Sequence, residues 1–219
     1  MKNYPDITPA MRAILMMYNK GYTHHISFKT SQEKLPKLEE KWAIDFGTKL
    51  PAHTRFARKQ RGHANAVAYS GPVLSEPGVV QVILMATEEA MKMPPSSPWS
   101  REKWLSRYPE FSKFVMVEEQ RERGDRAMTW RIQNRDLEEL RKYLVGLVSA
   151  GDSRELKRQT EQIVRIYPMF GGVRRQLRRM LREMARLWNH HHKDAPWPGP
   201  DPESLPMSVG FKKLDGKKV

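Results

Sequence analysis

The sequence predicts an α+β protein with a mostly antiparallel sheet. Two observations indicate this class. Before residue 133, helical periods of three and four alternate with segments in which apolar residues recur at every second position. From residue 134 to about residue 190, only the helical period remains. We therefore expect helices packed on a sheet in the N-terminal two thirds, then a three-helix unit, and finally an extended proline-rich tail.

The first elements are marked by caps and breakers. Thr8 and Pro9 predict the start of a helix that stops near Gly21. Residues 22–28 alternate like a strand. Residues 36–46 predict a second helix, which Gly47 ends in a left-handed cap. Residues 49–63 carry several cations, no acid and no clear period, and are interpreted as a basic loop or a strand edge.

Two pairs of strands follow. Residues 64–70 and 78–87 predict an antiparallel pair joined by a turn with glycine and proline at both ends. Residues 93–98 form a stiff proline-rich connector, and Ser100 is expected to cap a short helix. Residues 114–120 and 127–133 predict a hairpin with Met128, Trp130 and Ile132 on its buried face.

Three helices are expected next, linked by short turns. Asp136 with Glu139, and Asp152 with Glu155, have the spacing of capping boxes. The third helix covers residues 171–188. From Asp194 onward, five prolines predict an extended and partly disordered tail, either a spacer or a segment docked on a partner or on its own domain. The predicted organisation is 1–133, 134–192 and 193–219.

Charge and composition limit the function classes. The chain of 219 residues has a formal net charge of +14, and residues 1–150 and 151–219 each contribute an excess of basic groups. This balance favours nucleic acid or another anionic partner. Cysteine is absent, which excludes disulfides and thiolate chemistry. No export signal or membrane-length apolar run is visible, so a soluble cytoplasmic protein is expected.

The third C-terminal helix has two different faces. Its apolar residues recur at steps of three and four and predict a buried stripe. Arginines occupy the remaining surface, with Glu183 as the one acid between residues 171 and 188. The stripe comprises Val173, Leu177, Met180, Leu181, Met184 and Trp188, and the arginines are Arg174, Arg175, Arg178, Arg179, Arg182 and Arg186.

The arginines have three possible roles. They are solvated, they pair with acids of neighbouring helices, or they bind an anionic polymer. The candidate acids are Glu138, Glu139, Glu155 and Glu161. Backbone N–H groups at Gly171 and Gly172 would add a phosphate seat at the start of the helix. Among the residues suited to reading base edges, the helix offers only Gln176, so contact with the phosphate backbone is favoured over sequence readout.

The basic segment at residues 49–63 is a second candidate. It contains Arg55, Arg58, Lys59 and Arg61 beside Phe56. This combination suits charge and stacking contacts with single-stranded nucleic acid. The alternative is a mobile basic loop. Tyr69, Trp99 and Trp130 offer further aromatic surface, although aromatic residues in strands usually belong to the core.

The hypothesis that the protein is an enzyme has less support. His190, His191 and His192 are consecutive and cannot converge on one metal ion from a helix. Histidine catalysis of RNA cleavage would need a general acid and a general base placed close together. The available groups are His24, His25, His53 and His63, with Lys29 as a further cation.

A metal-dependent nuclease site can be assembled from Asp6 and residues 39–41, but both lie in or next to predicted helices rather than on adjacent strands. The chain has no phosphate-binding glycine loop, dinucleotide fingerprint or nucleophile elbow.

These observations predict a non-enzymatic protein that binds DNA or RNA through its phosphate backbone, with no metal or cofactor. The six arginines of the third C-terminal helix are the main candidate site, with Arg55, Arg58, Lys59 and Arg61 in support. One alternative is a basic regulator or inhibitor that binds an acidic protein partner. Another is a metal-independent RNA-processing endonuclease that uses histidine.

Overall fold

A computed structural model describes residues 2–3, 7–73, 76–92, 113–120, 124 and 126–206 and confirms the α+β class. The proline-rich connector, the short helix expected after Ser100 and the lysines at the end of the chain lie outside these residues. The contacts divide the chain into two compact units, Met1–Ser112 and Lys113–Val219.

The first unit is built on a four-stranded sheet in the order β1-β3-β4-β2. β4 lies antiparallel to both β2 and β3, whereas the two-residue β1 lies parallel to β3. The antiparallel pair predicted from residues 64–70 and 78–87 is therefore confirmed. The elements are β1 (Lys2–Asn3), α1 (Ile7–Asn19), β2 (His24–Ser31), α2 (Leu35–Phe46), α3 (Ala52–Gln60), β3 (Ala66–Pro72) and β4 (Val79–Ala86).

The core of the first unit is formed around β4. Val82 and Leu84 have no exposed surface and form one cluster with Trp42 and Phe46 of α2. The Trp42 ring meets Phe28 of β2 edge-on, with 6.1 Å between the centroids. Gly47 ends α2 at a φ of 63°, as the sequence predicts. The apolar residues that recur along α2 therefore pack against one face of the sheet.

Most of the basic segment at residues 49–63 is helical, as α3 (Ala52–Gln60), so its interpretation as a loop or strand edge was wrong. α3 shows no apolar period because cationic side chains occupy its half-buried side. Arg55 Nη1 donates to the Leu50 carbonyl at 2.8 Å, and Lys59 Nζ donates to the Lys20 carbonyl at 3.1 Å. Long basic side chains can bury their aliphatic stems while their charged ends find oxygen acceptors.

The second unit combines a hairpin with three helices, and both were predicted. β5 and β6 pair antiparallel from Phe114 opposite Ile132 to Gln120 opposite Arg126. The hairpin belongs to this unit because β6 packs on α6, which places the division before residue 133. The elements are β5 (Phe114–Gln120), β6 (Arg126–Ile132), α4 (Asn134–Ala150), α5 (Ser153–Ile166) and α6 (Gly171–His191).

The two expected capping boxes have different outcomes. Asp152 caps α5 by accepting from the Glu155 amide at 2.9 Å, as predicted. Asp136 lies inside the first turn of α4 and caps nothing. The reason is that β6 continues directly into this helix. The backbone N–H of Gln133 donates to the carbonyl of Lys113, just before β5, while the backbone carbonyl of Gln133 accepts the first helical hydrogen bond from Leu137.

The described part of the tail is extended and docks on its own unit. Trp188 Nε1 of α6 donates to the Ala195 carbonyl at 3.0 Å. Trp197 Nε1 closes a turn by donating to Pro200 at 3.1 Å, and Leu205 is buried. A 3-10 turn at Pro202–Ser204 contacts α6. Up to residue 206, the proline-rich segment is therefore part of the folded unit rather than a free spacer.

Candidate nucleic-acid interface

The apolar stripe of α6 forms the centre of the second unit. All six of its predicted members are buried, with exposed fractions of 4% or less. α6 contacts β6, α4 and the 3-10 turn of the tail. The arginines consequently occupy the rest of the helix surface. Arg175, Arg179, Arg182 and Arg186 are exposed and follow one another at steps of four, three and four, and we call these four residues the arginine row.

One of the two amides of the predicted phosphate seat, that of Gly172, is not available to an anion. The Gly172 amide already donates to Thr129 Oγ1 at 3.0 Å, and Gly172 is buried against β6. A Cβ atom at this position would lie 2.4 Å from the Trp130 carbonyl oxygen. The glycine is required for close packing between helix and strand, not for an open first turn.

Gln176 also has a structural role. Its Oε1 accepts from the Ile132 amide at 2.7 Å, and its Nε2 donates to the Ile132 carbonyl at 3.0 Å. The side chain is 7% exposed. The residue that the sequence analysis singled out for reading bases thus completes the hydrogen bonding of a strand and is not available to a ligand.

Half of the α6 arginines are held by carboxylates of the same unit. Arg175 pairs with Glu119 of β5. Arg182 Nε lies 2.5 Å from Glu203, and Arg178 Nε lies 3.8 Å from the same carboxylate. The hydrogen bond from Arg182 lowers the pKa of Glu203 below its usual value. The tail therefore supplies an acid to the arginine row.

The acids that hold these arginines differ from those expected. Glu138, Glu139 and Glu155 instead pair with arginines of α4 and α5, namely Arg141, Arg135 and Arg158. Within the described ranges, Arg174, Arg179 and Arg186 of α6 have no carboxylate within ion-pair distance. The helix thus keeps uncompensated positive charge.

A groove lies beside the arginine row, between the hairpin, α4 and α6. Its volume is about 430 Å³. Two nitrogens of Arg141 contact Glu183 there: Nε lies 3.0 Å and 3.1 Å from the two carboxylate oxygens, and Nη2 lies 2.5 Å from Oε1. This contact lowers the pKa of Glu183. The ionic residues lining the groove are Arg131, Arg141, Arg175, Arg179, Glu119, Glu138 and Glu183.

Sequence reasoning missed Arg131 and Arg141 as members of this groove. Arg131 lies on β6 and pairs with Glu119 at 3.4 Å, and Arg141 lies on α4. The alternation of β6 separates Arg131 from the buried residues on either side of it, which was an available signal. No sequence signal indicated that Arg141 would reach α6.

The second candidate cluster belongs to the first unit. Arg55, Arg58 and Lys59 are half-buried and donate to backbone carbonyls, whereas Arg61 is exposed. Phe56 is 64% exposed. Tyr69 and Trp130 are buried and present no stacking surface, and Trp99 lies outside the described residues. Phe56 is therefore the one aromatic candidate from the sequence that reaches solvent in the part described.

The histidines divide by burial. His24 and His25 of β2 are 1% and 6% exposed, whereas His53 and His63 lie on the surface. The His192 ring lies 4.2 Å from that of Trp188, and its Nε2 is 2.8 Å from the Val148 carbonyl oxygen, so this side chain is held against its own unit. Across the described ranges, no three potential metal-ligating side chains come together.

None of the described helices is both long enough and apolar enough to cross a bilayer. Comparison with protein-family models, with curated proteins and with solved structures found no match to this chain. The function is therefore argued from the surfaces described above.

Proposed function

We propose that this protein binds nucleic acid without catalysing a reaction on it, and that it contacts the phosphate backbone through the arginine row. The observation that carries the proposal is that Arg179 and Arg186, two exposed members of that row, have no carboxylate partner among the described residues. Guanidinium groups fit phosphate oxygens through paired N–H donors. A cytoplasmic location belongs to the same proposal.

The geometry of the row suits a polymer better than a single anion. From Arg175 to Arg186 the row rises by eleven residue steps, or about 16 Å at 1.5 Å per residue. Along one strand of B-DNA the phosphates advance by about 3.4 Å, so the row covers several of them. Arg174 lies on the flank of the row and adds a further cation without an acid partner among the described residues.

α3 supplies a second basic surface in the other unit. Arg55, Arg58 and Lys59 contact backbone carbonyls rather than carboxylates, so their charge is not neutralised by these contacts. Arg61 adds an exposed cation. We propose these four residues as a separate set of sequence-independent phosphate contacts on the first unit.

A binding titration tests the proposal. Labelled single-stranded and double-stranded DNA and RNA are titrated with purified protein at two salt concentrations, and anisotropy is recorded. For the double variant R179Q/R186Q, we expect binding to weaken equally for all sequences. The slope of log K against log salt should decrease by about 1.4 for a single strand or 1.8 for a duplex.

A matched control removes two exposed arginines of α5. The double variant R154Q/R165Q lowers the net charge equally, and neither residue has an ion-pair partner in the described part of the chain. We expect it to retain most of the affinity. An equal loss in both double variants, or tight binding by R179Q/R186Q, would show that the row is not the site.

A second candidate function is capture of an acidic protein partner. The observation that favours it is that Glu119 and Glu203 already occupy Arg175 and Arg182, so this face accepts carboxylates. A stoichiometric complex with one protein that persists after nuclease treatment, together with no polynucleotide binding at low salt, would select this function.

A further inference from the structure

A cavity in the first unit has the size and lining of a small-molecule site. Its volume is about 700 Å³. Ligand pockets usually enclose about 300–1,000 Å³ and combine an apolar lining with a few converging polar groups. Residues from α1, α3, β3 and the adjoining loops line it. Those that matter for binding are Met16, Lys20, Tyr22, Arg55, Phe56 and Lys59.

The mouth of this cavity is unusually apolar for a surface. Phe56 is 64% exposed and Met16 is 37% exposed, and both line the cavity. Deeper in the lining, Tyr22 and Tyr69 are 7% and 4% exposed. A ligand with an apolar body would cover the two exposed side chains and remove their surface from water.

The charged residues of the lining have one sign. Lys20, Arg55 and Lys59 line the cavity, and no described acid does. Arg55 donates to the carbonyl oxygens of Leu50 and Thr48 and hydrogen-bonds the Tyr22 side chain, and Lys59 donates to the Lys20 carbonyl, so these partners are all neutral. Their positive charge is therefore not balanced locally, and in a partly desolvated site it favours an anion.

Tyr22 adds a neutral donor to this set. Burial raises the pKa of its hydroxyl, and the nearby Arg55 opposes that shift only in part. The hydroxyl therefore stays protonated at neutral pH, so it can donate a hydrogen bond without adding negative charge to the cavity.

We propose that this cavity binds an amphipathic organic anion, with an aliphatic chain between Met16 and Phe56 and a carboxylate or phosphate group near Lys20, Arg55 and Lys59. The ligand is a small molecule, so the proposal does not rest on nucleic-acid binding, although Arg55 and Lys59 also belong to the phosphate contacts proposed on α3. A free aliphatic acid and a membrane phospholipid share this chemistry, and the experiment below distinguishes them.

The test is isothermal titration of the full chain with hexanoate, octanoate and decanoate at concentrations where they are monomeric. We expect saturable one-to-one binding that strengthens by roughly fourfold per added methylene group until the cavity is filled. Decanol should bind at least tenfold more weakly than decanoate. Equal affinity for the alcohol, or no saturable binding of any acid, would overturn the proposal.

Two variants test whether the ligand binds in the cavity. Phe56→Ser removes apolar surface at the mouth, and Lys20→Gln removes a cation whose backbone contact with Lys59 is retained. We expect each to weaken decanoate binding by at least fivefold. Ile44→Ser and Lys37→Gln are the controls, because both residues are exposed on α2 and neither lines the cavity. If the controls weaken binding as much as the test variants, the ligand lies elsewhere.

Vesicles and a nucleotide complete the design. Cosedimentation with phosphatidylglycerol vesicles in the absence of decanoate binding would assign the surface to a membrane and overturn a soluble ligand. Binding of adenosine monophosphate that is stronger than that of decanoate, and sensitive to Phe56→Ser, would overturn the aliphatic class. Unchanged polynucleotide binding in Phe56→Ser and Lys20→Gln would show that the cavity and the arginine row act separately.

Discussion

Gln176 forms two hydrogen bonds with the backbone of a single residue, Ile132. Its side-chain amide accepts from the N–H at 2.7 Å and donates to the C=O at 3.0 Å. Ile132 is the last residue of β6 and is 1% exposed. One side chain of α6 thus satisfies both polar groups of a buried strand residue, as a neighbouring strand would.

Removal of this amide should destabilise the second unit. Gln176→Ala leaves the Ile132 N–H and C=O without these partners, at an expected cost of about 2 to 4 kcal/mol in the free energy of unfolding. Urea denaturation followed by circular dichroism measures the change. Gln162→Ala on α5 is the control and should have little effect. Similar losses in both variants would mean that the two hydrogen bonds contribute nothing specific.

The glycines of α6 and α4 predict opposite effects of the same substitution. Gly172→Ala places a methyl group 2.4 Å from the Trp130 carbonyl oxygen, whereas at Gly146 nothing lies within 4 Å. We expect Gly172→Ala to destabilise by about 1 to 3 kcal/mol through overpacking. Gly146→Ala should stabilise by about 1 kcal/mol, since alanine favours the helix.

Thermal or urea unfolding of both variants compares them directly. A stable Gly172→Ala variant would mean that α6 can move away from β6 at little cost. That result would contradict the close approach of helix and strand described above.

The pH dependence of stability should include a contribution from Glu155. Hydrogen bonds from Arg158, and secondly from Gln159, lower the pKa of this carboxyl to about 2. Because the folded value is lower than the unfolded value, the contribution is present above pH 4.5 and is lost as the pH falls towards 2. The Glu155→Gln variant should therefore lose less stability than the unaltered protein as the pH falls from 4.5 towards 2.

Carbon-detected NMR titration of the Glu155 carboxyl measures the pKa directly. Arg158→Ala should raise the pKa of Glu155, because it removes the hydrogen bond that lowers this pKa most. Arg154→Ala, on the same helix, should leave it unchanged because Arg154 does not contact this carboxylate in the described structure. An ordinary pKa in the unaltered protein would contradict the Arg158 contact.

Glu203 is expected to weaken polyanion binding, if the proposed function is correct. It holds Arg182 and lies near Arg178. Glu203→Gln should release both guanidinium groups and strengthen binding of single-stranded DNA or RNA by roughly twofold to fivefold at low salt. Glu161→Gln on α5 makes the same change of charge away from α6 and should have a smaller effect. Equal effects would place the polymer away from these two arginines.

Much of the fold followed from local patterns. The spacing of apolar residues identified the α6 stripe, and alternation identified β4 and the hairpin. Gly47 and Asp152 marked helix ends because a left-handed cap and a side-chain cap depend on residues next to them in the chain. α3 escaped this reasoning because its half-buried side is cationic, so no apolar period was visible.

The sequence by itself determined that α6 has one apolar face and one arginine-rich face. Only the tertiary structure decided which arginines have a carboxylate partner and which do not among the described residues. Glu119 and Glu203 are distant from Arg175 and Arg182 in sequence and reach them through the hairpin and the docked tail. Likewise, the sequence suggested an open helix start at Gly172 and a possible base contact at Gln176. In the structure, both residues hydrogen-bond to β6 instead. Hydrogen bonds and ion pairs act over a few ångströms in space, so periodicity within one helix cannot specify their partners.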